Sequence, residues 1–211
     1  MLVHPDDVTE IGNALLKLGF KQGNIRNGNF EPATRKEIIE SKMTRGETVP
    51  YIKEVNLPGM RFLEVDINFS LDYKPGDTEL LKEMMSNSVV LKLGEYKVHT
   101  LRNDDFFIHL CSHLYKEATT LPWIEMHRDM TLYKYCDIYM LLSEMTNAEI
   151  QRIFARATEL GMEKVCAYTI LEAMGLFDMD KPFAYKLFDY IDARGMTDVE
   201  CYKKANVDKK T

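Results

Sequence analysis

The residues whose types and spacing are most suggestive of chemistry lie on an alternating segment in the first third of the chain. From Phe62 to Leu71, Leu63, Val65, Ile67, Phe69 and Leu71 are apolar, while Glu64, Asp66, Asn68 and Ser70 are polar. A period of two over such a run predicts a strand with one face on a core. Its other face carries a row of oxygen and amide groups. On spacing alone Asp66 is a solvated surface acid, and Glu64 shares its face either as a spectator or as a second oxygen donor.

A second group sits on helical patterns further along. His109 and His113 are one helical turn apart, a spacing at which two imidazoles can share a metal ion. No third ligand has matching spacing, and His127 falls in a loop, so core or interface histidines are the preferred reading. Lys134 and Asp137 are three residues apart on the next helix. They read equally as a surface ion pair, worth under about 1 kcal/mol, or as groups reaching a nucleotide in a cleft. Asp6 and Asp7 imitate an acid pair, but adjacent residues at a helix start diverge, so they act as cap and dipole residues.

These residues have to be positioned by two textures of chain. Residues 1–101 read as α+β. Met1-Leu2-Val3 is the end of a strand, and Pro5-Asp6-Asp7 starts a helix carrying Val8, Ile11, Leu15 and Leu18 up to Gly19. Residues 21–46 are polar, with a short helix around Thr34–Ser41. Glu47–Val55 is a strand that Pro50 confines to an edge or bulge. After the alternating strand come a helix at Asp77–Ser86 and a hairpin of Val89–Leu93 and Tyr96–Leu101 turning at Gly94-Glu95. From residue 102 the pattern is all helical: Asp105–Ala118, capped by Asn103 or Asp104, then Thr131–Met145, a helix capped by Asn147, Glu163–Met174 and Pro182–Arg194. Lys203–Thr211 is a charged tail. The predicted architecture is thus an α+β domain over 1–101 followed by a helical domain over 102–211.

Composition excludes several classes. A net charge of -6 argues against general nucleic-acid binding, which needs a positive excess, but leaves room for a small phosphate-bearing substrate. The four cysteines, Cys111, Cys136, Cys166 and Cys201, form no C-x-x-C pair, and the first three read as small buried hydrophobes. With no signal sequence and no apolar run of about 20 residues, a cytoplasmic protein without a membrane partner is expected. Walker and Rossmann glycine loops, Gly-x-Ser-x-Gly and Cys–His nucleophile arrangements are absent.

The segment Glu64-Val65-Asp66-Ile67-Asn68-Phe69-Ser70-Leu71 resembles a strand written acid-Leu-His-Trp-x-Leu in uncharacterised bacterial nucleotidyltransferases of the polymerase-beta-like superfamily. Here Asn68 and Phe69 replace the His and Trp. Leu101 to His113 resembles their helix of the form acid-x-Leu-x-x-Leu-x-x-His, and Leu132 to Ile138 the helix that carries their later Asp. Leu2-Val3-His4-Pro5-Asp6-Asp7, followed by Leu15 to Phe20, resembles the end of their first catalytic strand and the helix after it.

The resemblance implies a mixed or antiparallel nucleotidyltransferase-like sheet with helices, followed by a helical bundle. It also implies Mg²⁺-dependent transfer of a nucleoside monophosphate from an NTP to an unknown acceptor. Two Mg²⁺ ions on three carboxylates bridge the triphosphate and orient an in-line attack. Asp66 would be the third acid, catalytic and metal-binding, with Glu64 beside it as a metal ligand. His113, Lys134 and Asp137 would face the nucleotide. The family's Asp-x-Asp pair lies immediately before the residues that here are Met1-Leu2-Val3, so a truncated first strand, inactivity of this chain alone and a homodimer through the exposed sheet edge are expected. A non-catalytic nucleotide- or protein-binding scaffold of the same fold is the alternative.

Overall fold

The computed structural model describes residues 1–71, 78–118, 121–125 and 131–177. The chain forms two compact units, Met1–Asn87 and Ser88–Thr211. The hairpin after Ser88 therefore groups with the helices.

In the first unit, Pro5–Asp7 makes a 3-10 turn that runs into α1, Val8–Lys17. His4 Nδ1 accepts from the Asp6 amide at 3.3 Å, and Gly19 at φ 87 ends the helix, a left-handed position that favours glycine. A hairpin follows, β1 at Lys21–Arg26 and β2 at Asn29–Pro32. Its turn is Asn27-Gly28, both at positive φ, the pairing a two-residue hairpin loop requires. Sequence patterning had read this stretch only as polar.

Thr34 opens α2, Arg35–Glu40, with a full capping box on Glu37. Then come β3, Tyr51–Leu57, and β4, Met60–Val65. The sheet is antiparallel in the order β2-β1-β3-β4. Helix α3, Thr78–Ser86, completes the unit.

The expected strand over 62–71 is shortened. Its regular ladder with β3 ends at the Tyr51↔Val65 pair, because the next residue, Pro50, has no N–H to donate. Pairing resumes one residue out of register at Glu47↔Asn68, with Thr48 N donating to Ile67 O at 2.9 Å and Phe69 N to Gly46 O at 2.9 Å. On the opposite side Leu2 bridges Asn68 in parallel. Val3 N donates to Asn68 O and Asn68 N to Met1 O, each at 2.8 Å. The alternation also breaks: Ile67 is fully buried, and Ser70 and Leu71 are both buried. The core gathers Val3, Val8, Leu15, Tyr51 and Ile67, with Ile11, Phe20, Val65, Phe69 and Met85 packed around them.

The second unit opens with β5, Val89–Leu93, and β6, Tyr96–Thr100, turning at Gly94 with φ 63. Their register aligns Leu91 with Val98 and Leu93 with Tyr96, so one face is apolar while Lys92 and Lys97 share the other. Helix α4, Asn103–Ala118, packs against α6, Leu132–Glu144, α7, Asn147–Glu159, and α8, Glu163–Leu176; a single-turn α5 spans Leu121–Glu125. Thr146, rather than Asn147, is the N-cap of α7, in a capping box with Glu149.

Phe107, Ile108, Cys111, Tyr135, Ile138, Phe154 and Ile170 are buried between these helices. Burial raises the Cys111 thiol well above its usual range, and the neighbouring Cys166 thiol adds to the rise. Cys136 is only partly buried. No helix among the described residues is long and apolar enough to cross a membrane. The expected helix at Pro182–Arg194, the tail, His127 and Cys201 lie outside the described residues.

Candidate functional site

Glu64 stands opposite Ile52 near the end of β4, and Asp66 follows just beyond the strand. Both side chains are on exposed residues. The extended backbone through Asn68 gives positions 64 and 66 a common side. Asp66 also accepts, through its carbonyl, a 2.7 Å hydrogen bond from the Met1 ammonium. Burial lowers the pKa of that ammonium, and the Asp66 charge opposes the shift. Among the described residues no three His, Cys, Asp or Glu side chains converge as a metal site.

The other predicted residues belong to the helical unit. His113 lies on α4 and Lys134 on α6, and both reach the same carboxylate, Glu117. The Lys134 ammonium contacts Glu117 Oε2; His113 Nε2 lies 3.4 Å from Oε1. Asp137, on the same helix as Lys134, is exposed. The structure thus unites His113 with Lys134, leaves Asp137 at the surface, and carries Glu64 and Asp66 in the first unit.

Spacing explains why α4 gathers these groups. His109, His113, Lys116 and Glu117 recur at four, seven and eight residues, which places them along one face of a helix. The two imidazole rings are 6.2 Å apart, centroid to centroid. Lys116 is 3% exposed, and the side chains of Lys134 and Glu117 are each 12% exposed.

Charge in so little water has consequences for protonation. Burial above all, with the charge of Lys116 among the smaller causes, takes His109 down to about 4. Burial, His109, Lys134 and Lys116 together take His113 to about 3. Both rings are therefore neutral at pH 7. Burial lowers Lys134 to about 8. His109 Nδ1 is buried without a hydrogen-bond partner. Sequence reading weighed the two histidines but passed over Lys116 and Glu117; the repeat at 109, 113, 116 and 117 was the available signal.

A separate opening of about 350 Å³ in the helical unit is lined by Val89, Arg102, Asp104, Glu149 and Arg152 among others. Its cations are already matched, Arg102 with Asp104 at 2.9 Å and Arg152 with Glu149 at 4.0 Å. None of the sequence-predicted site residues lines it. Nearby, buried Asp105 is held by Arg156 Nε at 3.1 Å.

No curated protein and no solved structure matches this chain. A family model does, over residues 1–178, and its description is "Uncharacterised nucleotidyltransferase". With most of its length inside that match, this α+β chain with a helical second unit belongs to the uncharacterised nucleotidyltransferase family.

Proposed function

We propose that the chain is the nucleotide-binding scaffold of a polymerase-beta-type transferase, a fold that passes a nucleoside monophosphate from an NTP to an acceptor. One observation carries this reading: Met1–Val3 hydrogen-bonds directly alongside Asp66–Asn68. The segment that resembles the first catalytic strand is therefore the immediate neighbour of the acid that resembles the third carboxylate. Such adjacency is what a shared metal–phosphate site needs.

The donor set fits Mg²⁺ in a limited way. This ion is commonly held by one or two carboxylates, with phosphate oxygens and water completing its octahedron. Asp66, with Glu64 as a second donor, matches that pattern on an exposed edge. When bound, the ion would supply charge neutralisation at the phosphates. Asp66 would hold the ion and accept the acceptor's proton. The property that Asp66 bears on most directly is binding of a metal–nucleotide complex.

Thermal melting of the 211-residue protein with each of the four Mg-NTPs, beside its Asp66→Asn variant, tests the reading. A ligand that binds the folded state raises its melting temperature. At least one Mg-NTP should do so in the parent protein, and less in Asp66→Asn. Equal shifts in both, or none with any nucleotide, would sink the role of Asp66. Incorporation of label from α-labelled NTP by the parent protein would add transfer to binding.

A further inference from the structure

We propose that the β5–β6 hairpin of the second unit is a dimerisation surface. Two copies of this chain would stack their hairpins through the apolar face formed by Val89, Leu91, Leu93, Tyr96 and Val98. The register that pairs Leu91 with Val98 and Leu93 with Tyr96 puts these side chains on one side of the ribbon, since opposed residues share a face and alternate residues point the same way. All five are exposed, from 37% at Val98 to 68% at Tyr96. The face runs from Val89, on the rim of the opening beside Arg102, out to the turn at Gly94.

Such a ribbon is poorly stabilised by itself. A lone two-stranded hairpin is marginal in water and gains stability when its apolar side is covered. Lys92 and Lys97 stand directly opposite each other on the other face, a like-charge pairing that weakens the ribbon further.

Area and charge select a second copy as the occupant. Five side chains about half exposed present on the order of 500 Å² of mostly apolar surface, a patch of the size that is often functional on a monomer. Two such faces in contact bury about 1,000 Å², where specific protein interfaces begin. A twofold dimer needs a surface that complements itself. This face carries no charged side chain, so stacking it on a copy brings no like charges together.

The lysines also decide the mode of contact. With one on each strand, they discourage edge-to-edge extension of the ribbon, which would in any case leave the apolar face in water. Stacking face to face covers it and keeps both lysines on the outer sides. The contact involves neither Asp66 nor a nucleotide, and it belongs to the second unit rather than to the sheet edge of the first.

Sedimentation velocity of the full chain between about 1 and 200 µM tests the proposal, because an interface at the small end of the range associates in the micromolar regime. The mass should rise to that of two chains across this interval. Leu91→Glu and Tyr96→Glu each place two carboxylates in the twofold contact and should weaken association at least about tenfold. Lys97→Ser, on the other face, should leave it unchanged.

If glutamate disturbs the hairpin itself, hydrogen exchange of the parent protein reads the same contact. Residues 89–100 should exchange more slowly at the highest concentration than at the lowest. A parent chain that stays monomeric throughout, or a dimer that persists in both glutamate variants, would overturn the proposal. So would hairpin exchange that is slow at every concentration, which would mean that another part of the same chain covers the face.

Discussion

The acidic edge at Glu64 and Asp66 and the polar face of α4 concentrate comparable numbers of charged groups, yet they sit in opposite environments. Glu64 and Asp66 are on exposed residues, where water stabilises a carboxylate and salt screens it. Lys116, Glu117 and Lys134 are nearly enclosed, so each depends on its neighbours for the solvation it has lost. At the edge a substitution should therefore disturb the fold little, whereas on α4 its effect has to be read beside a measurement of stability.

Substitutions can break that contrast or sharpen it. The largest effect belongs to the enclosed charges. Arg156→Met would strand the Asp105 carboxylate, whose side chain is 3% exposed, and should destabilise the helical unit by about 3–5 kcal/mol. Burial already raises Asp105, with Arg156 opposing the rise, so the acid can partly relieve the loss by taking up a proton. A cost below about 1 kcal/mol by urea unfolding would show that enclosure on α4 matters less than exposure suggests.

Lys134→Met comes next, at about 2 kcal/mol, because Glu117 loses its cation while His113 remains beside it. Lys134→Arg should recover most of that. If methionine is tolerated without loss, the pair is ornamental to folding.

Acid should act on the same face. The folded-state pKa of His109 is lowered to about 4 and that of His113 to about 3, below the unfolded value of about 6.5. Between those limits the unfolded chain binds more protons, so stability should fall as pH drops from 6.5 towards 4 and stay flat from 6.5 to 7.5. His109→Gln should flatten the urea midpoint over the acid range. A midpoint that rises on acidification would reverse the sign and refute the neutral-ring assignment.

Asp66→Asn should have the smallest effect, within about 0.5 kcal/mol, as for other exposed positions. A cost above about 1 kcal/mol would make Asp66 a structural acid and dissolve the comparison from the other side.

Much of the fold was legible because its signals are local. Pro5 with its following acids, Gly19, the alternation around Leu63 and Val65, and the turn at Gly94 each specify an element from a few residues. The β1–β2 hairpin was missed although Asn27-Gly28 is a strong turn pair; its strands, with Gln22, Asn24 and Glu31, lack the apolar alternation that a strand prediction relies on. The alternating strand was read too long because Pro50, a residue from another strand, decides where its ladder stops. The candidate site divides likewise. Asp66 was singled out through the family resemblance of its segment, the strand pattern alone reading it as a surface acid. Glu117 and Lys116 were not, since nothing local to α4 says that Lys134 will arrive beside them from α6. Enclosure is a property of packing, and a charged residue on a helix looks solvated until a neighbouring helix covers it.

The Cys111–Cys166 contact gives the helical unit an internal clock. Both thiols are fully buried, one on α4 and one on α8, and Thr169 donates to the Cys111 carbonyl at 3.3 Å. An alkylating reagent can reach them only when the two helices part, so their labelling rate measures how often that seam opens. Cys136, partly exposed on α6, runs alongside as the fast reference. The wild-type chain therefore already carries the thiols that time its own opening, with no residue changed.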